Sequence, residues 1–324
     1  MTPAQWKFLQ TYPIPDVGLD LLRAVGDVVQ VFEPEPGDVE AKMNGVHAIV
    51  AGTEPITESD MAASADLKVI GRFGAGVDSV DIKAATRRGI AVLNTPAMNS
   101  QTVAEHAFAL MLGITHQIAE ADSSVRTFGF KLRSTLIGME LEGKTLGIVG
   151  LGDIGSKVAR IGSLGFGMKL LIHTANPRPE RLTGLGVEAR YADLDELLSA
   201  SDVVTLHTAL GPDTAGMLSR RRLELMKPGA YLINTARGTL VDEDALVELL
   251  RASQIRGAGL DVYAVEPPSP DNPLLQLSNV VLTPHSSSNS DDAFARMATM
   301  VCESVLERLT GGQPQNCVNP QVYG

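Results

Sequence analysis

The stretch TLGIVGLGDIGSKVARIGSL, residues 145–164, decides the fold. TLGIV is strand-like, SKVARIGSL is helix-like, and the GLGDIG between them has the spacing GxGxxG. In a strand–turn–helix context such glycines allow a tight turn, a close backbone approach to a pyrophosphate and tight packing of helix on strand, while amides at the helix N-terminus receive the anion. Gly150, Gly152 and Gly155 supply these three features. Asp153 is expected to point outward, leaving its amide and that of Ile154 turned toward the phosphate. Standing alone the motif would read as a glycine-rich turn; its setting points to dinucleotide binding.

Working outward, TLGIVG opens a series of strand-like runs, MKLLIH, DVVTLH, AYLINTA and IRGAGLDV, and an earlier series holds WKFLQ, DVVQVF, HAIVAG and LKVIGRFG. Helical stretches such as VGLDLLRAV and TESDMAASA separate them. This alternation predicts two α/β units, each a doubly wound parallel sheet covered by helices. Residues 100–128 read as one long connecting helix with Ser100 as its N-cap. DDAFARMATMVCESVLERLTGG, residues 291–312, reads as a helix stopped by paired glycines and returning to the first unit.

Bulk properties agree with two compact domains: 324 residues, 44% hydrophobic and 20% charged, can bury a sizeable core. A formal net charge of −11 argues against a nucleic-acid partner. Cys302 and Cys317 are too few for a disulfide framework or a cysteine cage, so reduced thiols and no metal are expected. Gln5, Lys7, Gln10 and Asp16 interrupt the N-terminal apolar residues, and no later apolar run is long enough to span a bilayer. A cytoplasmic enzyme without a membrane partner is the expectation.

Three further segments carry chemistry, and each follows a strand-like run: INTARGTLVDEDAL around Arg237, GAGLDVYAVEPP around Glu266 and LTPHSSSN around His285. Strand ends of a doubly wound sheet converge on the ligand crevice. Reduction of a 2-oxo acid needs a carboxylate anchor, a proton donor to the nascent alkoxide, and a group that orients the donor. Arg237 offers a permanently charged planar fork for the first role. His285 suits the second because imidazole titrates near neutrality, and Glu266 the third by accepting a hydrogen bond from the other ring nitrogen. Taken singly, each has a structural reading: a strand-end Arg on carbonyls, a solvated loop carboxylate, a turn histidine beside proline. Their grouping behind a dinucleotide loop favours catalysis.

Over nearly its full length the chain resembles the D-isomer-specific 2-hydroxyacid dehydrogenases, through GRFGAGVDSVDIKAATRRGI, NTPAMNSQTVAEH, GLGDIG, NTARGTLVDEDAL, GAGLDVYAVEPP, TPHSSS and QNCVN. The resemblance is closest to phosphoglycerate-dehydrogenase-like and glyoxylate/hydroxypyruvate-reductase-like members. It implies a Rossmann cofactor domain, residues 100–289, inserted in a flavodoxin-like substrate domain formed by residues 1–99 and 290–324. It also implies catalysis by Arg237, Glu266 and His285 on a small 2-oxo or 2-hydroxy acid, with the backbone of Ala75, Gly76 and Val77 holding the substrate carboxylate. Asn99 and Thr102 fall where hinge and substrate loop meet. Asp261 matches an aspartate near the nicotinamide carboxamide, Thr235 and Ala236 match cofactor-contacting backbone, and His207 matches a histidine near the cofactor ribose. A homodimer is implied, with the 100–128 helix contributing Phe108, Met111 and Leu112, against the alternative of ordinary packing within the domain.

The chain departs from the family at four places. Ala209 replaces a proline after His207, Ser286, Ser287 and Ser288 replace glycine and alanine after His285, and Ala51 stands where a phosphate-binding arginine is common, with Arg72 as a possible substitute. There is also no room for the regulatory C-terminal domain of many phosphoglycerate dehydrogenases. At the end of the second cofactor strand, MKLLIHTANPRPE holds no acid: Thr174, Asn176 and Arg178 replace the residue that would bind ribose hydroxyls and repel a 2′-phosphate. NADP(H) is therefore favoured over NAD(H). The rival function is a dinucleotide-sensing corepressor or scaffold on the same fold, and a weaker one is a formate-dehydrogenase-like reaction, in which glutamine stands at the place of Glu266.

Overall fold

The computed structural model describes residues 6–324. The chain divides into two compact units, one formed by residues up to Asn99 together with Asn289–Gly324 and the other by Ser100–Ser288.

The first unit holds five parallel strands, β1 (Trp6–Gln10), β2 (Gly26–Gln30), β3 (Ala48–Ala51), β4 (Val69–Arg72) and β5 (Ala91–Leu93), in the order β2-β1-β3-β4-β5. This is the flavodoxin-like order. Helices α1 (Asp16–Arg23), α2 (Asp38–Lys42), α3 (Glu58–Ala62) and α4 (Ile82–Arg87) connect them. All four residues of β3 are buried, as a strand covered on both faces requires, so its sequence AIVA does not alternate. A capping box starts α3: the Thr57 side chain accepts from the Asp60 backbone while the Asp60 carboxylate accepts from the Thr57 backbone N–H. The buried Asn319 side chain accepts from Val92 N at 2.8 Å and donates to the Ile90 carbonyl at 2.9 Å, so the QNCVN tail completes the polar groups beside β5.

The second unit holds seven parallel strands, β6 (Thr145–Val149), β7 (Lys169–His173), β8 (Ala189–Tyr191), β9 (Val203–Leu206), β10 (Tyr231–Asn234), β11 (Gly257–Leu260) and β12 (Val280–Leu282). Their order is β12-β11-β10-β9-β6-β7-β8. After β6 the chain turns one way to β7 and β8, then crosses to β9 and the rest, so the switch point lies between the carboxyl ends of β6 and β9. Ligands bind doubly wound sheets at such a point. The helices are α5 (Ser100–Thr115), α6 (Ile118–Phe128), α7 (Asp153–Arg160), α8 (Pro179–Leu185), α9 (Leu194–Ala200), α10 (Arg220–Leu223) and α11 (Glu243–Arg251). The last helix, α12 (Asp291–Leu309), belongs to the first unit, where Ala293, Met297, Ala298, Val301 and Val305 are buried in its core. Its N-cap Ser290 accepts from Ala293 N, and its helix stops before Gly311 at φ 96°. No helix among the described residues is long and apolar enough to cross a membrane.

Three expectations are corrected. The 100–128 segment is two helices, because Gln117 adopts a left-handed conformation (φ 54°) and breaks the run between α5 and α6. Ser100 is the first residue of α5 rather than its cap. Phe108 (5% exposed) and Met111 (0%) are also committed to the second unit's own core, Phe108 stacking on Phe166 with ring centroids 5.1 Å apart, and Leu112 packs at the edge of the same cluster. Internal packing therefore takes the positions expected at a dimer interface. The exposed apolar side chains follow instead: Ile118, Val125, Phe128, Phe130 and Ile137.

Candidate active site

The GLGDIG loop leaves β6 at the switch point. Gly150 sits at φ 102°, and a Cβ there would collide with the His207 carbonyl at the end of β9; a Cβ on Gly155 would collide with the Gly150 carbonyl. Both glycines are fixed by close backbone contacts. A Cβ on Gly152 would meet nothing within 4 Å. The open space above the start of α7, where the first-turn amides of Asp153 and Ile154 have no helical acceptor, is the cradle that a pyrophosphate needs. The Asp153 side chain is exposed.

Gly150, Thr174, Asn176 and Arg178 line one cleft of about 300 Å³. Arg181, Thr208 and Asp213 line it too. Arg181 was not singled out in the sequence, although helical spacing places it one turn after Arg178; its guanidinium donates to the Leu151 carbonyl at 2.8 Å. Tyr191 holds the arginine loop from β8: its hydroxyl donates to the Arg178 carbonyl at 2.8 Å and accepts from the Arg178 N–H at 3.1 Å.

At the end of β9, His207 Nε2 lies 2.8 Å from the Thr205 hydroxyl, while Nδ1 is buried with no partner. Burial pushes the His207 pKa down to about 3, so the ring is neutral. The Thr235 hydroxyl is likewise buried without a partner. Two orphaned polar atoms, the Gly152 cradle and the absence of an acid at the end of β7 all fit a dinucleotide.

Arg237, Glu266 and His285 lie on three loops that leave β10, β11 and β12, all within the second unit. Asn234, 1% exposed, shapes the first loop by accepting from Ala236 N at 3.0 Å and donating to the Arg237 carbonyl at 2.9 Å. Gly238 follows because a side chain there would collide with the Tyr263 backbone. Its absence lets the arginine loop lie against the loop that carries Glu266. Glu243 at the start of α11 fastens that second loop, accepting from Ala264 N at 2.8 Å and from Asn272 Nδ2 at 2.9 Å.

The Glu266 carboxylate accepts from Tyr263 N at 3.0 Å and meets His285 Nδ1 at 2.6 Å. A carboxylate only accepts, so Nδ1 carries a proton and Nε2 is the nitrogen whose protonation can change. Burial is the largest single influence on Glu266 and pushes its pKa up. The His285 hydrogen bond, the Tyr263 N–H and the His285 and Arg237 charges together outweigh it and hold Glu266 below the usual carboxylate value. His285 itself is in the left-handed region at φ 50°, uncommon for a residue with a side chain. Its N–H donates to the Asp261 and Thr283 carbonyls at 2.8 and 3.1 Å.

The Asp261 carboxylate is wholly buried: Ser286 N and the Thr283 hydroxyl donate to Oδ1 at 2.8 and 2.6 Å, and Ser287 N donates to Oδ2 at 2.9 Å. The side chain holds the histidine loop. The serines after His285 thus act here through their backbone amides. Ala236 is buried beside Thr235, and Thr102 is half-buried in the first turn of α5. In the first unit, Ala75, Gly76 and Val77 form an irregular turn after β4, with the Ala75 carbonyl accepting from Asn94 Nδ2 at 2.7 Å. Asn99 is half-buried at the end of that unit.

Residues 108–287 match the family described as D-isomer specific 2-hydroxyacid dehydrogenase, NAD binding domain. D-3-phosphoglycerate dehydrogenase of Archaeoglobus fulgidus is 38% identical over 315 residues, covering 97% of this chain, which spans only 59% of that enzyme's length. Glyoxylate reductase of Korarchaeum cryptofilum is 42% identical over 273 residues, covering 83% of this chain and 81% of that one. Among solved structures, the NADPH-dependent glyoxylate/hydroxypyruvate reductase of Sinorhizobium meliloti, in complex with NADP and malonate, superposes with a TM-score of 0.85 at 30% identity over 98% of each chain.

Proposed function

The chain belongs to the D-isomer specific 2-hydroxyacid dehydrogenase family, and from that membership we propose that it is a nicotinamide-dependent reductase of small 2-oxo acids, acting in reverse as a D-2-hydroxyacid dehydrogenase. The observation that carries this reading is the 2.6 Å contact of Glu266 with His285 Nδ1, beside the Arg237 charge. The bound cofactor supplies the hydride. Arg237 anchors the substrate carboxylate through its planar fork. His285 delivers a proton from Nε2 to the oxygen that becomes the hydroxyl, and Glu266 keeps the ring oriented through Nδ1. In the first unit, the Ala75–Val77 backbone is the proposed carboxylate-binding turn.

The proposed cofactor is NADP(H). Thr174 and Asn176 offer hydrogen-bond donors where an acid would repel a 2′-phosphate, and Arg178 and Arg181 supply charge in the same cleft. NADPH dependence is printed for the Sinorhizobium relative. The proposed substrates are unphosphorylated, because Ala51 offers no charge for a phosphate. Two copies are proposed to pair through the exposed apolar residues between Ile118 and Ile137, and sedimentation as a monomer at micromolar concentration would remove that assignment.

The test is a panel of glyoxylate, hydroxypyruvate, phosphohydroxypyruvate and bulkier aryl or branched 2-oxo acids, each with NADPH and NADH. Reduction of the small unphosphorylated acids with higher kcat/KM for NADPH is the expected result. A flat response across the panel overturns the enzyme reading; a preference for NADH overturns the cofactor assignment alone. Arg178→Ala and Arg181→Ala then show which cation is responsible, as the loss of NADPH efficiency with NADH efficiency unchanged.

A further inference from the structure

His106 stands on α5 in the segment AEHAF, and none of the roles described above uses it. Its Nε2 lies 3.0 Å from the Thr283 hydroxyl and 3.7 Å from Asp261 Oδ1. Thr283 has a single hydroxyl proton, which is given to Asp261 Oδ1 at 2.6 Å, a partner that only accepts. The Thr283 oxygen must therefore accept from His106, which places a proton on His106 Nε2.

The chain of contacts then runs without a gap. His106 donates to Thr283, Thr283 donates to Asp261, and Asp261 receives Ser286 N and Ser287 N. The next residue back is His285, whose own N–H is held by the Asp261 and Thr283 carbonyls. Thr283 is also the point where the two catalytic loops are joined, because its carbonyl accepts from the Tyr263 hydroxyl at 3.0 Å and the Tyr263 N–H donates to Glu266. One residue, Thr283, thus sits between the helix and both members of the Glu266–His285 pair, its hydroxyl toward His106 and Asp261 and its carbonyl toward Tyr263.

We propose that His106 is a positioning residue: by donating from Nε2 to Thr283 it fixes the hydroxyl toward Asp261 and holds the left-handed loop that presents His285 to Glu266. The inference rests on the reductase reading for its kinetic consequence and on geometry alone for the hydrogen bond. Helix α5 is thereby part of the acid–base apparatus without touching substrate.

The experiment pairs His106→Gln, whose amide nitrogen takes the place of Nε2, with His106→Asn, whose amide reaches only the place of Nδ1. Displacing a reacting group by a fraction of an ångström to an ångström costs about tenfold to a hundredfold. In the 2-oxo acid assay, His106→Asn is expected to lose kcat to that extent, with the cofactor Kd, the KM of the acid and the melting temperature held within twofold or two degrees, while His106→Gln recovers most of the loss. Equal losses in Gln and Asn, no loss in Asn, or a loss carried by melting temperature or cofactor affinity overturns the proposal. An independent readout needs no turnover: ¹⁵N-histidine spectra of the full chain at pH 8 should show His106 as the Nε2–H tautomer, and Thr283→Val should abolish that bias. An Nδ1–H tautomer overturns the proposal whatever the kinetics. Failure of the wild type to reduce any 2-oxo acid, with the Nε2–H tautomer seen, instead overturns the reductase reading, and the kinetic role of His106 falls with it.

Discussion

On the loops that follow β11 and β12, Asp261 accepts three hydrogen bonds and Glu266 two. At the ends of β9 and β10, by contrast, His207 Nδ1 and Thr235 Oγ1 are buried with no partner. An unsatisfied buried polar group costs about 1–3 kcal/mol. The carboxylates on the loops after β11 and β12 thus have their partners, whereas the ends of β9 and β10 carry buried polar atoms that a bound group could satisfy. The difference separates two tasks. An acid–base pair must have its geometry before the substrate arrives, whereas a cofactor site gains affinity by leaving groups for the cofactor to satisfy.

If the catalytic loops are preorganised, removing a reacting group should cost rate and leave structure and cofactor affinity alone. His285→Gln is expected to lower kcat about 100-fold to 10,000-fold, the usual worth of general acid catalysis, with cofactor Kd unchanged. Arg237→Lys should fall comparably, because an ammonium cannot reproduce the two-pronged contact. Near-normal turnover in either variant breaks the catalytic side of the contrast.

The glycines test the other side. Gly152→Ala places its methyl in open space, so melting temperature should hold while dinucleotide affinity falls about tenfold or more, as a pyrophosphate binds where the backbone must be approached closely. Gly155→Ala drives its methyl into the Gly150 carbonyl and should instead lower the melting temperature. Isothermal titration and thermal unfolding read the two effects separately. Equal affinities for wild type and Gly152→Ala would show that the cradle holds no phosphate.

Glu266→Gln sharpens the catalytic side with a smaller effect. The carboxylate that orients the ring through Nδ1 is replaced by an amide, so kcat for 2-oxo acid reduction should fall severalfold to about tenfold with cofactor Kd unchanged. The folded carboxyl is held below its ordinary value, so its contribution to stability is present above that value and is lost as pH falls through the folded one. The Gln variant should therefore lose less stability than wild type on acidification below about pH 4.5. An unchanged kcat would show that Glu266 does not act through His285.

Both sheets were legible in the sequence because a strand covered on both faces is a short apolar run and the helices between are periodic. The strands β5 and β8, three residues each, carry too little pattern to stand out. The break at Gln117 left no trace, since apolar spacing continues across it and no glycine marks the left-handed residue. Arg237, Glu266 and His285 were legible as residue types at strand ends. Their supports were not: His106 and Thr283 are 177 residues apart, and Asn234, Glu243 and Tyr263 act through loop contacts that no local pattern encodes. Asp261 was legible as a motif residue, while its hold on Ser286, Ser287 and Thr283 was not.

The smallest effect tests whether the His207 nitrogen is truly sealed from solvent. An unfolded chain protonates this histidine near pH 6.5, while burial holds the folded ring's pKa at about 3. Between these values the unfolded state binds a proton that the folded state refuses, so stability falls as pH drops, with a slope from this residue approaching about 1.4 kcal/mol per pH unit. Glu266 adds little above pH 5, because its folded and unfolded forms are both largely ionised there. The window from pH 6.5 to pH 5 therefore isolates histidine. His207→Gln keeps a polar group for the Thr205 hydroxyl and has nothing to titrate, so urea unfolding across that window should be flatter in the variant than in wild type. Identical slopes for wild type and His207→Gln would mean that the ring takes up its proton in the folded state as readily as in the unfolded one, and Nδ1 would then be solvated rather than sealed.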